Sequence, residues 1–277
     1  MQTLASILCG ARRSIVGLAT AACCASAAMS VQAHNLWLLP SSTVLSSPQW
    51  ITVDAAVSND LFHFNYVPLA LDGLVVEAPD GQAASPQNLL RGRLRSVFDL
   101  NLDSPGTWRI GVINRGVFAS YRLDGERKRW RGSAAELETG IPAAATELVV
   151  TESLGRIETF ATVGKPSSLQ PKGEGLEMLP ETHPNDLFAG EPARFRFTVD
   201  GEPAAGLQVT VVAGGTRYRD SLGDRSFVTD AQGRVEIGWP APGLYWIEAI
   251  AEDKRTTVPR ASGRRLGYVA TLEVLPL

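Results

Sequence analysis

The sequence predicts an all-β protein, built as two immunoglobulin-like or transthyretin-like β-sandwich domains with a short helical insertion, on three observations. From Trp50 onward, apolar and polar residues alternate over short runs, and the runs break at Pro, Gly or polar clusters roughly every ten residues, as antiparallel sandwiches do. Asp80-Gly81, Asp103-Ser104-Pro105-Gly106, Asp200-Gly201 and Asp230-Ala231-Gln232-Gly233 supply turn chemistry between the runs. The third observation is an internal echo. Pro105-Gly106-Thr107-Trp108-Arg109-Ile110-Gly111-Val112-Ile113 lays onto Pro242-Gly243-Leu244-Tyr245-Trp246-Ile247-Glu248-Ala249-Ile250, with Pro, Gly and both Ile in register and an aromatic two residues after each Gly. A turn feeding an alternating strand, used twice, fits two related sandwiches better than one large sheet.

Residues 1–33 read as an export signal. Arg12 and Arg13 precede an Ala-rich apolar run from Ile15 to Met29, and Val31 and Ala33 occupy the −3 and −1 positions that a signal peptidase reads. Cleavage after Ala33 makes His34 the first residue of an exported, periplasmic chain. Cys9, Cys23 and Cys24 all fall inside this segment, so disulfides play no part in the mature fold. Cys23 has Thr20 where a lipoprotein signal places a Leu-like residue. The apolar run is short for a membrane span of about 20 residues, so an integral membrane protein is not expected.

The first domain is expected over 34–164, with strands at 34–39, 50–57, 73–77, 94–101 and 107–113. Around 126–137 the pattern changes: Arg127, Lys128, Arg129 and Arg131 surround Trp130, and Ser133-Ala134-Ala135-Glu136 follows, which suggests the helical insertion. Strand-like alternation returns from Thr146 to Val163. The Gly/Pro-rich stretch 165–175 reads as a linker. A second domain over 176–277 is expected to carry strands at 193–199, 206–212, 216–220, 225–228, 233–238, 244–251 and 266–275, the complement of an immunoglobulin-like sandwich.

Charge and motifs narrow the function. With 26 basic against 29 acidic residues the net charge is −3, which lacks the basic excess that nucleic-acid phosphates require. No nucleophile elbow, His-Glu-x-x-His helix, phosphate loop or dinucleotide fingerprint is present, so neither an enzyme nor an organic cofactor is expected.

A resemblance carries the reading further. The Ala-His junction after the signal, Leu36-Trp37-Leu38, Glu177-Met178-Leu179-Pro180-Glu181-Thr182-His183-Pro184-Asn185-Asp186-Leu187, Gly190-Glu191-Pro192 and Asp200-Gly201-Glu202-Pro203-Ala204-Ala205-Gly206 resemble a periplasmic family of unknown function. That family was formerly labelled NikM-like, or periplasmic component of cobalt/nickel transport. The resemblance implies a β-rich accessory to metal uptake whose partner is a membrane transporter or another envelope protein. Thr229-Asp230-Ala231-Gln232-Gly233-Arg234 and Pro242-Gly243-Leu244-Tyr245 are also similar to the transthyretin-like repeats that serve as spacers or docking modules.

Metal chemistry has three nitrogen-bearing candidates, His34, His63 and His183, the only histidines of the chain. A terminal His34 offers an α-amine beside its own imidazole, an arrangement suited to Ni(II), Co(II) or Cu(II). His63 lies among aromatics in Asn59-Asp60-Leu61-Phe62-His63-Phe64-Asn65-Tyr66, where stacking is the alternative to ligation. His183 precedes Pro184, which favours an extended backbone, and a capped turn is its alternative. The rival function is a non-catalytic module that binds an envelope protein or a glycan through a surface aromatic, with Trp130 the residue of interest.

Overall fold

The computed structural model describes residues 34–277; the expected signal segment lies outside them. The first half contributes β1 (Asn35–Pro40), β2 (Val44–Leu45), β3 (Gln49–Ser58), β4 (Val67–Pro68), β5 (Leu74–Glu77), β6 (Gln87–Arg91), β7 (Ser96–Leu102), β8 (Gly106–Leu123), β9 (Glu126–Gly132), the short helix α1 (Leu137–Gly140) and β10 (Thr146–Val163). The second half adds β11 (Leu176–Pro180), β12 (Pro192–Val199), β13 (Glu202–Pro203), β14 (Gln208–Ala213), β15 (Arg225–Val228), β16 (Arg234–Gly238), β17 (Gly243–Asp253) and β18 (Gly263–Val274). The fold is all-β, and its sheets are layered face to face.

Three sheets form. A five-stranded sheet runs β1-β3-β7-β6 with β4 on β3, and a four-stranded sheet runs β11-β12-β13 with β16 on β12. Between them lies a nine-stranded sheet, β15-β14-β17-β18-β10-β8-β5 with β2 on β10 and β9 on β8. It crosses the 165–175 stretch without a break, because β10 and β18 pair in parallel from Thr151↔Gly263 to Thr159↔Thr271.

Alternation explains how one sheet serves two cores. On one face Trp108, Ile110, Val112, Ile157, Ala161, Trp246 and Val269 meet Trp37, Val53, Phe98 and Leu100 of the five-stranded sheet. On the other, Phe160, Tyr245, Ile247, Tyr268, Ala270 and Leu272 meet Met178, Phe195, Phe197 and Ile237 of the four-stranded sheet. The echoed strands thus fill different cores: Ile110 is fully buried in the first and Ile247 in the second. Each follows a glycine with positive φ, Gly106 at 122° and Gly243 at 134°, a backbone that residues with a Cβ rarely adopt.

Two local expectations are corrected. Glu126–Gly132 is a strand, not the start of a helix: it folds back on β8 through Asp124 (φ 52°) and Gly125 (φ 80°), with Leu123 opposite Glu126, the two-residue hairpin turn that Asp-Gly favours. Among the described residues α-helix is confined to one turn at Leu137–Gly140. The strand expected at 216–220 is a 3-10 turn over Thr216–Tyr218. Gly215 enters it with φ 73°, and the Arg219 guanidinium closes the loop by donating to the carbonyls of Ala213, Gly214 and Leu222. Trp130 is half-buried against Leu137 in a small satellite cluster, whereas Trp50 is the exposed tryptophan on β3.

The 165–175 stretch lies as a strap across the second face of β8 and β10. Ser167 and Thr107 bond twice, amide to hydroxyl in each direction. Further along, Arg109 donates to the Gln170 carbonyl and Arg156 to that of Glu174. Among the described residues no helix is long and apolar enough to cross a membrane.

Candidate metal site

The loop 59–66, between β3 and β4, is built from side-chain hydrogen bonds. Asn65 Oδ1 accepts the Asn59 amide at 2.9 Å, and its Nδ2 donates to the Asp60 carboxylate at 2.7 Å. Ser58 Oγ donates to the Asp60 carbonyl at 2.6 Å and accepts from buried Trp37 Nε1 at 2.8 Å, so the loop is tied to the core. Phe62 sits at φ 59°, a conformation uncommon for a bulky side chain. Its ring turns edge-on to Trp37 at 5.6 Å between centroids. Aromatic packing on Trp37 therefore holds the backbone there.

This loop carries His63 and holds His34. The exposed His34 ring stacks on Tyr66, 3.9 Å between centroids and 23° between planes. Its Nδ1 lies 2.9 Å from Asn59 Oδ1. An amide oxygen can only accept, so Nδ1 carries the proton and Nε2 presents the lone pair. His63 Nδ1 lies 3.3 Å from Arg217 Nη1. A guanidinium can only donate, so this ring has the opposite arrangement, with its proton on Nε2. A metal held by a terminal amine and the adjacent Nδ1 must displace Asn59, and a metal on His63 Nδ1 must displace Arg217.

His183 belongs to a different network. Its Nδ1 accepts the Asn185 amide at 3.1 Å and its Nε2 lies 2.9 Å from Thr107 Oγ1. Thr107 is 3.0 Å from Thr162 Oγ1, which donates to Asn185 Oδ1 at 2.9 Å, and Asn185 Nδ2 donates to the Phe160 carbonyl at 3.1 Å. Burial lowers the His183 pKa, opposed by the Ser167 backbone and the Asp186 charge, so the ring is held neutral. Both of its nitrogens bond within the fold, and it shares no hydrogen-bond partner with His34 or His63. The structure thus brings two of the three histidines to one loop and fastens the third beneath the strap. Among the described residues no group of three or more His, Cys, Asp or Glu side chains is placed to hold a metal ion.

Sequence reasoning passed over the charges buried beside this strap. Arg109, Arg156, Glu158 and Glu177 are all buried. Tyr268 OH donates to Glu158 Oε2 at 2.9 Å, Arg156 Nη1 lies 3.3 Å from Glu158 Oε1, and the Lys172 and Gly173 amides donate to the Glu177 carboxylate. Burial raises the Tyr268 pKa well above the usual phenol value, which keeps it a donor.

Among solved structures, the chain is similar to Escherichia coli alpha-2-macroglobulin activated by porcine elastase, at 13% identity over 88% of this chain and 20% of that one, TM-score 0.22. The D00-D0 domain of intimin is 13% identical over 87% of this chain and 100% of that one, TM-score 0.20. Salmonella alpha-2-macroglobulin reacted with methylamine is 12% identical over 86% and 15%, TM-score 0.19. The chain spans a small part of the macroglobulins, and likeness at these scores carries no argument about it. No curated protein matches the chain. A family profile described as Domain of unknown function (DUF4198) matches residues 31–253, which takes in the loop of His34 and His63 and every strand but β18, and to that family this chain belongs.

Proposed function

We propose that the protein is an exported, periplasmic, non-catalytic accessory that captures a divalent transition metal, Ni(II), Co(II) or Cu(II), and presents it to a membrane transporter. The observation that carries this reading is the placement of His34 against the loop that bears His63, its ring stacked on Tyr66. Cleavage after Ala33 adds an α-amine at the same residue, and amine plus imidazole make a nitrogen-rich site of the kind these ions favour. The older nickel/cobalt label of the resembling family points the same way. Cargo that must be released is well served by few ligands, and His183 keeps its structural role.

Isothermal titration of the chain beginning at His34 tests the reading. One Cu(II) or Ni(II) should bind per chain, His34→Ala should remove the heat, and His63→Ala should weaken affinity. Protons compete for both kinds of nitrogen, so affinity should fall below about pH 6.5. Affinity that stays flat between pH 8 and pH 5, or that ignores His34→Ala, overturns the assignment.

A further inference from the structure

The second face of the central sheet is covered by the four-stranded sheet only as far as β11. Beyond it, over β8 and β5, the strap lies across the sheet, and beneath the strap is a cavity of about 390 Å3. Val75 and Ile113 give it an apolar wall, Arg109, Arg156 and Glu158 line it, and Lys172 and Glu174 come from the strap. Gly111 lies between Arg109 and Ile113 on the same face of β8 and opposite Glu158 and Val75. A Cβ there would stand 3.4 Å from Glu158 and 3.7 Å from Val75, so the missing side chain leaves the floor open.

The floor holds unmatched donors. Arg109 is 4% exposed and Arg156 7%, yet Arg109 Nε, Arg109 Nη2 and Arg156 Nε have no hydrogen-bond partner. The nearest carboxylate oxygen to Arg109 Nε is Glu158 Oε1 at 4.0 Å, beyond hydrogen-bond reach. Nε and Nη2 make up one edge of a guanidinium. Their parallel N–H groups are the fork that meets both oxygens of a carboxylate or phosphate. Buried donors left unmatched are costly, and the two side chains that carry them line a space large enough to hold a ligand.

Charge separates the candidates. Counting direct ion partners with the lining, the cations Arg109, Arg156, Lys172 and Arg115 are matched around the cavity by Glu77, Glu158, Glu174 and Glu177. A multiply charged phosphate would unbalance that set, whereas a carboxylate that carries its own ammonium group preserves it. The volume lies at the small end of ligand pockets, which suits a compact molecule. We infer that this cavity binds a small zwitterion of amino-acid or dipeptide size, its carboxylate on the Nε–Nη2 edge of Arg109, its ammonium toward Glu77 and Glu174, and its aliphatic part against Val75 and Ile113. This site is independent of the histidine loop and goes beyond the metal reading.

Calorimetric titration of the chain beginning at His34 with L-leucine and with L-alanyl-L-alanine tests the inference. Saturable binding of at least one is expected, with 4-methylpentanoate and leucinamide, which each lack one charge of leucine, weaker by about ten-fold or more. Arg109→Lys, which loses the fork and keeps the charge, should weaken binding by a similar factor. Exposed Ala83 also lines the cavity, so Ala83→Trp should abolish binding by filling the mouth while leaving every buried charge in place. The inference falls if neither zwitterion binds to folded protein, if Ala83→Trp binds normally, or if inorganic phosphate binds more tightly than both.

Discussion

The loop around His34 and the cavity around Arg109 satisfy their polar groups in opposite ways. In the loop, Asn59, Asp60 and Asn65 bond to one another at the surface, and the exposed His34 ring rests on Tyr66. Beneath the strap, two guanidinium groups and two carboxylates share the interior, where each depends on the others and three N–H donors remain unmatched. A surface network exchanges protein partners for water at little net cost, so its residues are free to be replaced or displaced. Charges removed from water have no such substitute. Taking one away leaves its partner uncompensated. The loop is therefore compatible with the proposed uptake and release of an ion, and the cluster with holding a fixed geometry.

The sharpest way to break this contrast is to empty one position in the cluster. Glu158→Ala strands Arg156 and removes the acceptor of Tyr268, and urea unfolding should show a loss of about 3–5 kcal/mol. Arg115 and Glu174, a bidentate pair at 2.6 and 2.7 Å, are both more than half exposed; Arg115→Ala should change stability by less than about 1 kcal/mol. Equal losses from the two variants would erase the distinction between buried and surface charge.

Tyr268→Phe is a smaller perturbation. It removes one donor to buried Glu158 and should destabilise by about 1–3 kcal/mol, whereas Tyr66→Ala on the loop should leave the melting temperature nearly unchanged. The pH dependence adds an independent probe. His183 has a lowered pKa in the folded chain, so between that value and about 6.5 the unfolded state binds more protons than the folded one. Stability should therefore fall as pH drops below about 6.5, and His183→Gln should flatten that part of the profile. A wild-type profile without this slope would contradict a neutral, internally bonded His183.

The smallest effect concerns metal affinity. Arg217 places a cation beside His63 Nδ1, and Asn59 occupies His34 Nδ1. Arg217→Ala and Asn59→Ala should each tighten Cu(II) binding a few-fold, since each removes a competitor worth about 1 kcal/mol. Weaker binding in both variants would mean that these contacts support the site.

Much of the architecture was legible because alternation is local. β3, β8, β10, β17 and β18 fall where apolar and polar residues alternate, and the Pro-Gly echo marks the two glycine-led strands. The β8–β9 hairpin was also written locally, in Leu123-Asp124-Gly125-Glu126, but the density of Arg and Lys after it drew attention to helix propensity. Thr216–Tyr218 escaped because the loop around its backbone turn is closed by the Arg219 side chain on carbonyls three to six residues away, a contact that propensity does not report. For the sites, residue type singled out the three histidines, but their grouping required the fold: His34 reaches the loop of His63 through Asn59 and Tyr66, while His183 reaches Thr107 across 76 positions. The Arg109 cluster was hidden by the same alternation that revealed the strands. Arg109 and Gly111 flank Ile110 and carry no apolar signal, and it is the strap and the four-stranded sheet that make their face of β8 an interior.

The proposed capture depends on nitrogen coordination of the metal at His34. Electron paramagnetic resonance of Cu(II) bound to the chain that begins at His34 reads those ligands directly. Nitrogen hyperfine structure is expected, simplified when the α-amine is acetylated and lost in His34→Ala. A spectrum of aqueous Cu(II), or one that acetylation leaves unchanged, would contradict capture at this residue.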